Sequence, residues 1–181
     1  MEPEKKEVLN GFLTAIEKRA FTMAYFAAGN TEDALDLVQE AMLKFVGLYP
    51  NRPEEEWKVL FYHILRSRIT DWYRRTAVRK RLQQWFGFAK EDAKENLLEN
   101  LVKSSGISPA DMVEKKEFNV ALEKALSRLP ARQQQAFFLR AWGNMDIKEV
   151  ALVMKCSEGS VKTHFSRAVH TLRIILKDFL P

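Results

Sequence analysis

The chain has 181 residues, which allows one domain or two small ones, and 46% of them are hydrophobic, enough to form packed cores. Only 7 glycines and 6 prolines are present, so a turn-rich β fold is disfavoured and long helices are favoured. The net charge of +5 fits nucleic acid or an anionic membrane without deciding between them. A single cysteine, Cys156, excludes a disulfide framework and a cysteine-ligated zinc site. The N-terminus lacks the apolar core of a signal peptide and no stretch reads as a membrane span, so we expect a soluble, cytoplasmic protein without membrane association.

Helical periodicity dominates the first fifty residues. Between 8 and 28 the apolar residues recur at intervals of three and four, which predicts an amphipathic helix that ends at Gly29. Asn30 or Thr31 can cap a second helix over 31–46. That helix carries four acids against one lysine. The acids are either simply solvated or mark a docking face for a basic protein partner.

A third long helix is predicted from about Glu55 to Arg81, after the break at Pro50 and Pro53. From Lys58 onward it carries eight lysines and arginines and one acid, so its net charge of +7 exceeds that of the whole chain. Aromatic residues are interleaved with these cations. Phosphates would meet the cations and unpaired bases would stack on the rings, which favours single-stranded DNA as a ligand.

The aromatic and polar positions of this third helix fall on different sides. Phe61, Leu65 and Trp72 lie near one side, and we interpret them as core residues. A solvated basic face is the alternative to a DNA-binding role for the polar side, and a membrane-surface helix is disfavoured by Asp71 and by the helix length. We interpret the polar side as a DNA surface made of Arg66, Ser67, Thr70, Arg74 and Arg75.

Residues 82–117 have a different character. They begin with the aromatic run WFGF at 85–88, and from 91 to 117 seven acids face four basic residues, a net of −3. We interpret this stretch as a linker with one short helix around 91–103. The helical pattern resumes near Ala110, with breaks at Leu129-Pro130, Gly143-Asn144 and Lys155-Cys156-Ser157.

The strongest local signal is a pair of helices near the C-terminus. Asp146 and Glu149 form an Asp version of the capping box, which predicts a helix over 147–154, and Ser157 can cap a second helix. The second helix has an apolar side and, in its first turns, an opposite polar side that suits the major groove. An amphipathic helix pair without a DNA role is the alternative. His164 and His170 lack metal-ligand spacing, so we expect no metal or other cofactor. The polar side consists of Lys162, Thr163, Ser166 and Arg167.

These segments, in this order, resemble an extracytoplasmic-function (ECF) RNA polymerase sigma factor of the sigma-70 family. DALDLVQEAMLKF resembles the helix that grips the polymerase, and ILRSRITDWYRR resembles the helix that melts the promoter and contacts the minus-ten element. ALSRLPARQQQAFFLR and DIKEVALVMKCSEGSVKTHFSRAVHTLR resemble the domain that contacts the minus-thirty-five element. The resemblance covers about 10–81 and 118–177.

The resemblance implies an all-α fold of two small helical domains joined by a linker, the C-terminal one a helix-turn-helix. We expect a polymerase-docking and minus-ten domain over 1–84, a linker over 85–115 and the minus-thirty-five domain over 116–181. The implied function is promoter-specific initiation with core RNA polymerase and promoter DNA as partners. A dedicated anti-sigma factor is a further candidate partner. The role of the WFGF segment is left open.

The resemblance also implies roles for individual residues. Ser67 lies where many family members have Asn, near the pocket for a flipped minus-ten base. Two departures stand out, since Trp57 comes slightly early for the tryptophan before the melting helix and His164 replaces a frequent arginine. The groove-contacting positions are the four polar residues of the last helix named above. The polymerase-docking positions are Asp33, Leu37, Gln39 and Glu40.

Other functional classes explain the chain less well. A helix-turn-helix regulator that binds DNA without polymerase leaves the acidic second helix and the basic third helix unexplained. A non-DNA interaction protein of stacked helices leaves the basic surface unexplained. An enzyme is not expected, because the sequence has no glycine-rich phosphate loop, no metal cluster and no Ser/His/Asp set.

Overall fold

A computed structural model of the chain describes residues 3–86 and 109–179, with side chains described for 5–77 and 117–179. Throughout these ranges the regular secondary structure is helical. The helices are α1 (Pro3–Ala28), α2 (Thr31–Leu48), α3 (Glu54–Phe86), α4 (Pro109–Ser127), α5 (Ala131–Phe137), α6 (Ile147–Met154) and α7 (Glu158–Ile175). A π-helical segment, Phe138–Trp142, continues α5, and a 3₁₀ turn, Lys177–Phe179, follows α7. Two compact units result, the first containing α1 to α3 and the second centred on the helices after residue 109. The all-α, two-unit prediction is therefore confirmed.

An aromatic core holds the first unit together. Helices α1, α2 and α3 pack on one another, and Phe45, Trp57 and Phe61 are almost completely buried between them. The ring centroid of Phe12 lies 5.6 Å from that of Phe45 and 5.5 Å from that of Trp57. The indole Nε1 of Trp57 donates a hydrogen bond of 2.9 Å to the carbonyl of Arg52. These contacts fix the start of α3 against the other two helices.

The boundary between α1 and α2 follows local backbone chemistry. Gly29 has φ 81, a left-handed conformation that glycine adopts without a side-chain penalty. Asn30 then caps α2, since its side chain accepts a hydrogen bond of 2.8 Å from the amide of Asp33. The predicted end of the first helix and the predicted cap are both confirmed, although α1 begins at Pro3, five residues before the predicted start.

The second unit is built around α7, against which α4 and α5 pack. Gln134 is 7% exposed, and its Nε2 donates a hydrogen bond of 3.0 Å to the carbonyl of Leu126, so this buried amide has a partner. The largest buried apolar side chains of this unit include Leu126, Phe138, Leu139, Met145 and Val150.

The π-helical segment depends on a glycine. The amide of Gly143 donates to the carbonyl of Phe138, five residues earlier, at 2.8 Å. A Cβ at position 143 would lie 2.6 Å from the carbonyl oxygen of Leu139, closer than any side chain tolerates. Asn144 follows with φ 48, so the predicted break at Gly143-Asn144 is confirmed as a tight turn. This turn leads directly into the start of α6.

The helix ends around the predicted linker differ from expectation. Helix α3 continues through Trp85 and Phe86, which the sequence placed in the linker, and α4 begins at Pro109, close to the predicted restart near Ala110. The short helix predicted around 91–103 and the second half of WFGF lie outside the described residues. Within the described ranges, no helix has an apolar stretch that would cross a lipid bilayer.

Candidate nucleic-acid interface

The exposed side of α2 is acidic with apolar residues beside the acids. Asp36, Gln39 and Glu40 are exposed, as the docking prediction requires of the last two. Leu35 and Leu43 share this side and are 54% and 69% exposed. They occur at positions i and i+8 with Gln39 between them, so one helical stripe combines charge, amide and apolar surface. This exposed side of α2 therefore carries apolar area beside its acids.

Asp33 and Leu37 are placed differently from the other predicted docking residues. Asp33 is half-buried, and its Oδ2 accepts a hydrogen bond of 2.8 Å from the Nδ2 of the cap residue Asn30. Its carboxylate therefore stabilises the first turn of α2. Leu37 is 2% exposed and belongs to the core of the first unit. Its side chain supports the docking face from beneath and is not displayed on that face.

The polar side of α3 has two zones. Arg66, Ser67 and Thr70 are half-buried, and the Thr70 hydroxyl donates a hydrogen bond of 2.9 Å to the carbonyl of Arg66. Arg74 and Arg75 are exposed, one helical turn further along. The structure thus brings all five predicted minus-ten residues onto one stretch of α3, with the most accessible cations near its described C-terminal part.

Arg68 of α3 is tied to acids on two helices. Its Nη1 lies 3.7 Å from Oε2 of Glu40 on α2, and its Nη2 lies 3.6 Å from Oδ2 of Asp71. The other Asp71 oxygen lies 3.9 Å from Nη1 of Arg74. An alternating series of charges therefore connects the acidic side of α2 with the basic side of α3. Arg68 is one of the eight cations of α3, and the sequence pattern predicted no individual role for it.

Aromatic residues near the middle of α3 mainly hold the helix in the first unit. Phe61 and Leu65 are completely buried, as predicted, whereas Trp72 is only half-buried. The hydroxyl of Tyr73 donates a hydrogen bond of 2.8 Å to the carbonyl of Ala27 at the end of α1. Burial raises the pKa of Tyr73 above its ordinary value. Tyr73 thus fastens α3 to α1.

A groove runs between α2 and α3. It has a volume of about 240 Å³ and lies on the side of the first unit where the acidic and basic faces meet. Carboxylates of α2 line one wall, and an indole, a guanidinium and a hydroxyl of α3 line the other. The lining residues are Asp33, Asp36, Leu37, Glu40, Trp72, Arg75 and Thr76.

The last helix pair has the geometry predicted from its caps. The amide of Asp146 donates to Oε2 of Glu149 at 2.7 Å, and the amide of Glu149 donates to Oδ1 of Asp146 at 2.8 Å, which confirms the capping box. The Oγ of Ser157 accepts from the amide of Ser160 at 3.1 Å and caps α7. On the first turns of α7 the predicted polar residues are all exposed: Lys162, Thr163, Ser166 and Arg167.

The buried side of α7 holds it in place. Val161, Ala168 and Leu172 are buried, while Phe165 is only half-buried. The Phe165 ring is stacked at 17° on Phe137, with a centroid distance of 6.3 Å. The guanidinium carbon of Arg140 lies 5.8 Å from the Phe165 centroid, and Arg140 Nη1 donates to the carbonyl of Met145. Arg140 thus links α7 to the π-helical segment and to the turn before α6.

Comparisons with known proteins match two separate regions of the chain. The family description "Sigma-70 region 2" matches residues 12–79, which include the faces of α2 and α3, and "Sigma-70, region 4" matches residues 119–172, which include the polar side of α7. The ECF RNA polymerase sigma factor BldN of Streptomyces coelicolor is 32% identical over 159 residues, 85% of this chain and 54% of BldN. The chain belongs to the ECF group of the sigma-70 family.

Other family members match over more of their own length. The RNA polymerase sigma factor SigV of Bacillus subtilis is 26% identical over 172 residues, which cover 94% of this chain and 92% of SigV. The chain spans only about half the length of BldN. The sigma factor RpoE of Bartonella quintana, solved in complex with the anti-sigma factor NepR, has a TM-score of 0.66 and 24% identity over 97% of this chain and 98% of that chain. The two chains share a fold.

Three features of the site in this ECF family member were not predicted from the sequence. The pairing of Arg68 with Glu40 depends on how α2 and α3 pack, which no local pattern shows. Arg140 stands in a segment whose π-helical turn has no simple sequence signature. The exposure of Leu35 and the burial of Leu37 were detectable, because Ala34, Leu37, Val38, Ala41 and Phe45 form the regular buried stripe of α2.

Proposed function

We propose that the chain is a transcription initiation factor that binds core RNA polymerase and directs it to promoters with minus-ten and minus-thirty-five elements. It would act in the cytoplasm and contribute no catalytic group of its own. One observation carries the proposal: a single chain matches both sigma-70 regions, and each matched region displays an exposed polar helix face. A regulator that acts without polymerase would not need the face of α2.

The face of α2 is proposed to dock on polymerase. Gln39 and Glu40 are exposed and offer an amide and a carboxylate to a basic partner surface. Leu35 and Leu43 extend the face with apolar area, which supplies burial that charge alone does not. Asp33 contributes to docking indirectly, because its hydrogen bonds with Asn30 stabilise the first turn of α2.

The polar side of α3 is proposed to hold the opened minus-ten element. Arg74 and Arg75 are exposed cations suited to backbone phosphates, which carry no sequence information. Arg66, Ser67 and Thr70 are half-buried, so a base that reached them would be partly desolvated and held by hydrogen bonds. Recognition of an unpaired strand requires both cations that hold the phosphates and side chains that contact the bases.

The first turns of α7 are proposed to enter the major groove at the minus-thirty-five element. Lys162, Thr163, Ser166 and Arg167 are exposed on one side, while the buried side and the Ser157 cap fix the helix direction. Arginine and lysine pair with guanine edges and with phosphates, and the hydroxyl of serine or threonine can donate to or accept from a base edge. This face therefore has the donors that direct base contact needs.

The decisive experiment is transcription of genomic fragments by core polymerase with and without the purified chain, with start sites mapped. We expect new start sites that share two spaced upstream elements and appear only when both components are present. A matched pair of variants ties the activity to α2. Glu40→Lys should weaken co-purification with core polymerase, whereas Glu17→Lys, the same reversal at an exposed position of α1, should not.

The rival function predicts the opposite pattern. A regulator that binds DNA without polymerase would bind a specific duplex tightly by itself, and Glu40→Lys would leave its activity unchanged. Specific binding by the isolated chain, without any start site that depends on it, would exclude the proposal.

An anti-sigma factor is also proposed as a partner. The structural relative RpoE was solved in complex with one, the anti-sigma factor NepR. We expect that affinity capture of the tagged chain from its own cells retains a protein that competes with core polymerase. A retained protein that leaves transcription unchanged would count against this partner.

A further inference from the structure

Glu40 stands at the junction of the two faces of the first unit. It lies on the exposed side of α2, proposed above for polymerase, and its carboxylate faces Arg68 on α3 at 3.7 Å. Arg68 faces Asp71 at 3.6 Å, and Asp71 in turn lies 3.9 Å from Arg74. The acids therefore occupy positions next to the cations that a DNA strand would need.

The groove between α2 and α3 extends the same arrangement. Asp33 and Asp36 line it from α2, and Arg75 lines it from α3. A carboxylate and a phosphate oxygen compete for the same guanidinium donors, because both are anionic acceptors with similar geometry. The wall of α2 thus presents carboxylates toward the helix that would bind phosphates.

We propose that Glu40 is an internal competitor of DNA for Arg68, and that a basic partner surface which docks on α2 draws Glu40 away and frees Arg68 for a phosphate. The inference rests on the proposed function, because it assigns a protein partner to α2 and a DNA strand to α3. The two binding events are then linked, and by reciprocity DNA bound at Arg68 strengthens docking on α2 by the same factor.

The expected size of the effect follows from the exposure of the pair. The Arg68 and Glu40 side chains are 27% and 48% exposed, so solvent screens their attraction. Exposed pairs of this kind shift an equilibrium about 1.4- to 5-fold. The contact is therefore a modulator of DNA affinity and not an on-off switch.

A double-mutant cycle on the full chain tests the inference without polymerase. The probe is a fluorescein-labelled 20-nucleotide single strand of mixed sequence, and affinity is measured by anisotropy at about 50 mM salt, where screening is weak. We expect Glu40→Gln to raise affinity about 1.4- to 5-fold in the wild-type background and to leave it unchanged in the Arg68→Gln background. If the Arg68→Gln variant does not fold, Arg68→Met, which keeps a long unbranched side chain, replaces it as the background without the guanidinium.

The control removes the same charge elsewhere on α2. Glu32 is exposed, lies in the first turn and does not line the groove. Glu32→Gln should change affinity by less than Glu40→Gln, since only the latter breaks the pair. Affinity should also fall more steeply with salt for Glu40→Gln than for the wild type. A log-log slope steeper by about 0.7 would indicate one additional phosphate contact to a single strand.

Three results would overturn the inference. The first is that Glu40→Gln raises affinity equally with and without Arg68, which would indicate long-range charge alone. The second is that Glu40→Gln has no effect, and the third is that neither the wild type nor Glu40→Gln binds the probe. The transcription experiment decides the proposed function separately. If the chain directs start sites but Glu40 and Arg68 show no coupling, the inference fails and the proposed function stands. If coupling is found without start sites, the proposed function and the partner on α2 fail, and only the competition between Glu40 and DNA for Arg68 remains.

Discussion

Helices α3 and α7 are both proposed to contact DNA, but they hold their cations differently. On α3, Arg68 is paired with Glu40 and Asp71. On α7, Lys162 and Arg167 are exposed, and within the described part of the chain neither is paired with an acid. A DNA strand at α7 meets donors that are already available, whereas at α3 it must displace carboxylates. Binding at α7 should therefore depend mainly on the DNA, and binding at α3 also on what docks beside it.

The buried sides of α3 and α7 also differ, because their phenylalanines are buried to different extents. Phe61 of α3 is completely buried in an aromatic core shared by three helices. Phe165 of α7 is half-buried and rests on Phe137 and Arg140. Helix α3 is thus fixed by large aromatic side chains, while α7 is fixed by its Ser157 cap, by smaller buried residues such as Val161 and Ala168, and by one stacked aromatic cluster. Substitutions in each helix should separate these two modes of attachment.

Truncation of the inner phenylalanines should separate the two helices most clearly. Phe61→Ala should lower the free energy of unfolding by about 3–5 kcal/mol, because it leaves a cavity in a fully buried core. Phe165→Ala should cost about 2 kcal/mol, since half of its ring is already near solvent. Urea unfolding of both variants, followed by circular dichroism, checks the order. Equal losses would remove the packing contrast.

Alkaline pH should destabilise the first unit and spare the second. Burial raises the pKa of Tyr62 to about 12, and all four tyrosines of the chain precede Arg74. Above pH 10 the unfolded chain loses the phenolic proton while the folded chain keeps it, so this contribution to stability falls as pH rises from 10 to 12. The fall should reach about 2–3 kcal/mol, at 1.36 kcal/mol per pKa unit. Tyr62→Phe should flatten the pH dependence of urea unfolding over that window; an unchanged slope would contradict the assignment.

Arg167→Ala should weaken promoter binding while the fold remains intact. Loss of one bidentate base contact costs about 1–3 kcal/mol, roughly ten- to a hundredfold in affinity. The thermal midpoint should stay at the wild-type value, because Arg167 is exposed. Affinity for a mapped promoter, measured together with core polymerase, gives the loss, and promoters altered at the contacted base should show a smaller one. Lys148→Ala, an exposed cation on the neighbouring α6, serves as the matched control.

The smallest effect is expected from the exposed arginines of α3. Arg74→Gln or Arg75→Gln should reduce the log-log salt slope of open-complex formation by about 0.7–0.9 for each lost phosphate contact. A template with a pre-melted bubble should recover part of the defect if these residues assist melting. Equal defects on duplex and bubble templates would instead indicate that α3 only anchors the strand.

Local signals predicted most of the fold. The helix caps at Asn30, Asp146 and Ser157 lie where the sequence placed them, because a cap depends on residues only three positions apart. Helix α6 has the predicted bounds for the same reason. The four polar residues of α7 are exposed as expected, since the apolar stripe opposite them is regular over four turns.

Features that depend on packing between helices were not predictable in this way. The contact between Glu40 and Arg68 joins residues 28 positions apart on different helices. The half-buried state of Phe165 depends on Arg140, whose position follows from the π-helical turn. Each of these requires the arrangement of helices and not a pattern along one of them.

The turn between α6 and α7 has a consequence for protein engineering. Lys155 has φ 51, a left-handed backbone conformation that costs an L-residue with a Cβ about 1–2 kcal/mol. Glycine adopts the same conformation without that penalty, and the Lys155 side chain is exposed. Lys155→Gly should therefore leave the backbone path unchanged and offer a gain in thermal tolerance, set against the greater freedom of glycine in the unfolded chain. A more heat-resistant version of this helix pair could thus be obtained without altering any residue proposed to contact DNA.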